Sequence, residues 1–176
     1  AVPRFSSRSR KALIDAGTLD WSDINTDIFG NMFQACVAPD KRSCLGEHYT
    51  SVPNIMKVLR PLFLEELENA ARQARGHEAR ARKFIERLSI IRFFDPACGC
   101  GNFIIVAYRE LRDLELAIMA RLQEITGDPA MLLANYGLKV TLDHFYGIEI
   151  DEWPARIAET AMWMMDHIMN TQASLE

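Results

Sequence analysis

Two carboxylates and a pair of glycines carry the chemistry of this sequence. In Phe93-Phe94-Asp95-Pro96-Ala97-Cys98-Gly99-Cys100-Gly101-Asn102-Phe103 an apolar run that starts at Ile90 and Ile91 meets an Asp-Pro pair, which cannot continue a central strand. Gly99 and Gly101, one small residue apart, let the backbone turn tightly, and a helical pattern begins at Asn102. Strand, glycine turn and helix N-terminus in succession set backbone N–H groups against a polar or anionic ligand. Further along, Phe145-Tyr146-Gly147-Ile148-Glu149-Ile150-Asp151 reads as a second buried strand closed by acids. An acid at that place is the usual acceptor for the two hydroxyls of a ribose, so Glu149 implies a ribose-bearing ligand.

The ligand classes separate on charge and spacing. A dinucleotide site wants G-x-G-x-x-G/A, and Ile104 stands where the last small residue belongs. Asp95 at the head of the loop would also face the pyrophosphate. The same acid suits a ligand with a positive amine, and S-adenosylmethionine has an amine, a sulfonium, a ribose and no phosphate. A nicotinamide-dependent oxidoreductase fragment stays as a rival. No G-x4-G-K-[ST] P-loop and no Gly-x-Ser-x-Gly elbow occurs. The four cysteines, Cys36, Cys44, Cys98 and Cys100, form no disulfide framework in a chain of this length. Cys36-x7-Cys44 with His48 nearby matches no usual zinc spacing, so free thiols in a reducing cytoplasm and no metal site are expected.

The elements that must position these groups follow from periodicity. The chain of 176 residues is long enough for one domain with a core and a helical extension. It has no run near the roughly 20 apolar residues of a membrane span and no secretory h-region, so no membrane partner is expected. A net charge of −4 gives no global attraction for nucleic acid. If DNA is the substrate, other segments must hold it. Ala1 to Lys11 reads as a loose basic arm, and Asn25 to Cys36 as a core helix. Thr50 or Ser51 caps a helix with Pro53 in its first turn and apolar residues from Val52 to Leu67; Pro61 should kink or restart it. Asn69 to Arg87 reads as exposed, charged helix, split at Gly76, its cations a solvated face rather than a DNA contact. A stripe from Phe103 to Ile125 predicts a long helix ended by Thr126-Gly127-Asp128-Pro129. A short helical piece (Ala130 to Tyr136) precedes the second strand, and Pro154 opens the last helix, whose Met-rich side is core. Alternating strands and helices predict an α/β fold with a doubly wound parallel sheet whose ligands bind at strand C-terminal ends.

Asp95 to Phe103 resembles the first motif of adenine-N6 DNA methyltransferases, with Cys100 where the family usually has Ser. Glu47-His48-Tyr49-Thr50-Ser51 is similar to that family's N-terminal cofactor motif, and Tyr146 to Asp151, followed by Ala155-Arg156-Ile157-Ala158-Glu159, to its second. With Ile28-Phe29-Gly30 and Met162-Trp163-Met164-Met165-Asp166-His167, the chain from Trp21 to Asn170 resembles the MmeI-like branch of restriction–modification and phage-defence enzymes. The resemblance implies a partial Rossmann-like methyltransferase sheet: residues 1–88 a helical N-terminal region bearing one cofactor motif, residues 89–176 the first βαβα part. It also implies S-adenosylmethionine as cofactor. Thr50, with His48 and Tyr49, would hold the methionine carboxylate and Asp95 the amino group. Ala97, Gly99 and Gly101 would admit the methionine part, with Pro96 and Asn102 in the same turn. Glu149 would take the ribose and Ile150 lie against the adenine. Family members also carry an Asn/Asp-Pro-Pro-Tyr/Phe tetrapeptide that orients the target amine and stacks on the flipped base. No two prolines are adjacent here, so no catalytic residue is assigned. The expectation is an N-terminal cofactor-binding fragment that binds without methylating, its parent meeting double-stranded DNA through other regions. A non-catalytic binding module is the alternative, and no oligomeric state follows.

Overall fold

Helix boundaries fall where serine, glycine and proline put them. A computed structural model describes residues 5–18, 50–127 and 137–175. Helix α1 (Ser7–Gly17) replaces the arm expected through Lys11, because the Ser6 side chain accepts the Ser9 N–H at 3.1 Å and caps the first turn. None of its side chains is buried. The helix expected over Asn25 to Cys36 and the piece Ala130 to Tyr136 lie outside the described residues.

Helix α2 (Val52–Leu59) starts after Ser51, whose carbonyl accepts the N–H groups of Asn54 and Ile55. Pro61 neither ends nor restarts it. The chain passes through one π turn, Arg60–Leu64, straight into α3 (Glu65–Ala74). The wider turn accommodates a residue with no N–H to donate. Gly76, at φ +81°, separates α3 from α4 (Glu78–Ile90), as its position in the charged segment predicts.

Strand β1 (Phe93–Asp95), α5 (Asn102–Thr126), a 3-10 turn (Leu142–His144), β2 (Phe145–Gly147) and α6 (Glu152–Leu175) complete the described chain. β1 and β2 run parallel, with Phe93 opposite Phe145 and Asp95 opposite Gly147. Among the described residues the sheet has these two strands, with a helix after each, rather than the larger doubly wound sheet that the sequence leads one to expect. Both strands are shorter and barer than their apolar runs suggest. Ile90 ends α4 and is 74% exposed, and Phe94 and Tyr146 are more than half exposed. Alternate side chains of a strand face opposite ways, and in this pair Phe93 and Phe145 pack into the core while Phe94 and Tyr146 do not.

α5 is the centre of the core. Leu67, Phe84 and Leu88 from α3 and α4, with Ala161, Met165 and Met169 from α6, pack around its Tyr108, Leu111, Ile118 and Leu122. A second cluster joins Ile55, Leu59 and Leu64 to Val106 and Ala107 of α5. The Met-rich side of α6 is core at Met165 and Met169, as its spacing predicts, whereas Trp163 stays exposed.

A polar chain runs through this apolar setting. Arg112 donates to Glu115 at 3.2 Å and to Asn170 at 2.6 Å; Asn170 and Tyr108 both donate to Asp166. Burial and the Asp166 bond push the Tyr108 hydroxyl up, so it stays protonated and donates. Glu115 accepts the N–H of Lys139 at 2.5 Å and that of Val140 at 3.3 Å. The stretch entering β2 is thereby fastened to the side of α5.

Candidate active site

The glycine turn after β1 closes on itself and on the end of β2. Asp95 accepts the Ala97 N–H through its carboxylate at 3.0 Å and the Ile148 N–H through its carbonyl at 3.0 Å. The Cys98 N–H donates to the Ile148 carbonyl at 2.9 Å, which extends the strand pairing beyond the sheet. The Gly101 N–H donates to the Cys98 carbonyl at 2.8 Å, and the Gly99 N–H to Glu149 Oε2 at 2.9 Å. The other oxygen of Glu149 accepts the Asp151 N–H at 2.9 Å. The turn therefore does not aim these N–H groups at a ligand, as the sequence leads one to expect. Ala97, Cys98, Gly99 and Gly101 all donate to protein acceptors.

Gly101 is required twice over. Its φ is +83°, and a Cβ there would stand 2.9 Å from the Ala158 Cβ, so the start of α5 can lie against α6 only at a glycine. Gly147 has the same role beneath the turn, where a Cβ would stand 2.7 Å from the Cys98 sulfur. Neither close approach can be read from the residue types, because both partners are distant in sequence.

Asp95, Ala97, Gly99, Gly101 and Glu149 thus meet at the C-terminal ends of two neighbouring strands. Pro96 and Ala97 are exposed, and Asn102 is half-buried at the first position of α5. Ile150 is 89% exposed on the rim. Thr50 is half-buried just ahead of α2, which packs on Val106 and Ala107 early in α5. His48 and Tyr49 lie outside the described residues. A crevice of about 260 Å³ runs between β2 and α6, bounded by Cys98, Phe145, Gly147, Glu149, Met162 and Trp163. It reaches Glu149 but not Asp95, so it adjoins the paired carboxylates without containing both.

Cys98 reports on the local field. Burial first, then the Asp95 and Glu149 carboxylates, push its thiol above the usual range. Alkylation of Cys98 by iodoacetamide between pH 7 and 9, followed by peptide mass spectrometry, should be slower than that of free cysteine. Glu149→Gln should accelerate it. A rate equal to free cysteine in the unaltered protein would mean that the thiol is neither buried nor held close to the two carboxylates.

Among the described residues no group of three or more His, Cys, Asp or Glu side chains is placed to hold a metal ion, and no helix is long and apolar enough to cross a membrane. Cys36, Cys44 and His48 lie outside those residues.

Comparison with known proteins adds a lineage to this geometry. The profile of the MmeI DNA-methyltransferase domain matches residues 68–176. DNA methyltransferase A of Bacillus subtilis (strain 168) is 46% identical over 173 residues, which cover 98% of this chain and 19% of that protein. The solved structure of the type IIL restriction–modification enzyme MmeI in complex with DNA superposes with a TM-score of 0.89 at 42% identity, covering 97% of this chain and 23% of that one. The chain spans about a fifth of the length of these relatives.

Proposed function

This chain belongs to the family of MmeI DNA-methyltransferase domains, and from that premise we propose that it is the S-adenosylmethionine-binding portion of an adenine-N6 DNA methyltransferase of restriction–modification type. The observation that carries the reading is the pair of carboxylates at adjacent strand ends, with the intervening N–H groups engaged inside the protein. Two carboxylates at such a site repel a pyrophosphate. The site suits a ligand with an amine and a sulfonium at one end and a ribose at the other.

The residues present fit that ligand. An ionised carboxylate has about four acceptor positions. Glu149 gives one oxygen to Gly99 and the other to Asp151, which orients it and leaves capacity for two ribose hydroxyls. Asp95, held by the Ala97 N–H, faces the amino group, and Thr50, with His48 and Tyr49, the methionine carboxylate. Gly99 keeps a side chain out of the approach and Gly101 lets α5 begin close behind it against α6, with Pro96 and Asn102 flanking them, and Ile150 offers apolar surface to the adenine. The bound cofactor supplies an electrophilic methyl group; this chain's part is to bind and orient it. The tetrapeptide that presents the target base belongs to the remainder of the parent protein, as does most of the contact with double-stranded DNA. Residues 1–88 then form a helical region and 89–176 the first part of the catalytic domain, working in the cytoplasm.

Calorimetric titration of the full-length protein should show binding of S-adenosylhomocysteine and none of NADH. Nucleoside analysis of DNA treated with the protein and S-adenosylmethionine should show N6-methyladenine. Binding of NADH in place of S-adenosylhomocysteine would favour an oxidoreductase. Cofactor binding without transfer, despite an intact tetrapeptide, would favour a non-catalytic module.

A further inference from the structure

The charge of this chain is unevenly distributed. Between Asn69 and Arg92 stand Arg72, Arg75, Arg80, Arg82, Lys83, Arg87 and Arg92 against Glu78 and Glu86 alone, in a protein whose net charge is −4. In the structure Arg82 is paired with Glu78 at 2.8 Å, Arg87 with Glu66 at 2.6 Å, and Arg72 donates to Asn69. Arg75, Arg80 and Lys83 are exposed, and their side chains have no ion-pair or hydrogen-bond partner among the described residues. A solvated helix face of alternating charge would balance them locally, and this one does not.

These cations border a groove. Between α3 and α4 lies a depression of about 700 Å³, floored by Ala70, Ala74 and Phe84, with Arg80, Lys83 and Arg87 along it. Glu86 is the one carboxylate among the described residues of its lining. The three basic residues follow at i, i+3 and i+7, one face of a helix; at about 1.5 Å per residue they cover roughly 10 Å along its axis. A strand of duplex DNA carries one phosphate per about 3.4 Å of helix axis, so a cation row of this length is on the scale of a few phosphates.

We propose that the α3–α4 groove is a second DNA contact, in which Arg80 and Lys83 neutralise backbone phosphates away from the cofactor site. It rests on the reading that the parent protein acts on DNA. The contact assigned is to backbone phosphates, which fixes orientation on the duplex and carries no sequence information directly.

The test is the salt dependence of duplex binding by the full-length protein. Arg80→Ala/Lys83→Ala should lower affinity about tenfold near 0.1 M salt and reduce the slope of log K against log salt by about 2, as loss of two phosphate contacts requires. Affinity for S-adenosylhomocysteine and the unfolding temperature should be unchanged, and Arg121→Ala, an exposed arginine on α5, should leave the slope as it is. Intact DNA binding with an unaltered slope overturns the inference and leaves the functional reading standing. An equal loss in Arg121→Ala, or a change in oligomeric state with the slope intact, overturns it too, since the groove would then act through general charge or hold protein. A full-length protein that binds no duplex DNA overturns the functional reading and this inference together.

Discussion

Glu149→Ala in the full-length protein is expected to weaken S-adenosylhomocysteine binding by about 100-fold or more, measured by calorimetric titration. The proposed role gives Glu149 two hydroxyl donors, and hydrogen bonds to a charged acceptor contribute about 1.5–3 kcal/mol each. Losing both removes about 3 kcal/mol at the least, a factor of about 100 in Kd. The same substitution leaves the Gly99 N–H without its acceptor, while the backbone bonds of Cys98 and Asp95 to Ile148 still hold the turn to the end of β2. Glu149→Gln separates the two effects. Its single amide oxygen can still accept from Gly99, with the Asp151 bond lost and the charge gone, so a loss of about tenfold is expected from the weaker neutral bonds. Wild-type affinity in Glu149→Ala would remove the ribose contact from the proposal, and with it the reason for preferring this cofactor.

How much of this site is legible in the sequence depends on the range of the interactions involved. The turn, the start of α5 at Asn102 and its end at Gly127, and the break at Gly76 obey local rules of glycine conformation and capping, and sequence reasoning finds them. The acid after β2 is visible for the same reason. Strand burial is not local: Phe94, Tyr146 and Ile150 are apolar residues in apolar runs, yet what covers them is decided by other segments. The engagement of the turn's N–H groups was equally hidden, because the acceptors of Cys98 and Gly99 are Ile148 and Glu149 on the next strand. The i, i+3 spacing of Arg112 and Glu115 is the one signal for the buried network. On a helix that spacing ordinarily means an exposed pair, so it does not announce burial.

Glu115→Ala should destabilise the protein by about 3–5 kcal/mol, the usual consequence of removing one partner from a buried ion pair. Arg112 and Glu115 are both 0% exposed. Burial raises the Glu115 carboxyl above its ordinary range, while the Lys139 N–H, Arg112 and the Val140 N–H act against that shift. Its loss strands a guanidinium whose Nε already lacks a partner in the structure, and leaves two backbone N–H groups without acceptors. Against a typical total stability of about 5–15 kcal/mol, a urea midpoint should fall far enough to read without ambiguity. Arg112→Met/Glu115→Leu should recover much of the loss, since burial without charge removes the desolvation penalty. The two backbone N–H groups would still lack their acceptor in that pair, so recovery should be incomplete. Because Lys139 and Val140 lead through Leu142–His144 into β2, loosening them also loosens the strand whose end carries Glu149. Affinity for S-adenosylhomocysteine should therefore fall in Glu115→Ala even at temperatures where the protein remains folded. If stability fell and affinity did not, the fastening would serve the core alone, and the position of Glu149 would depend on its bonds to Gly99 and Asp151.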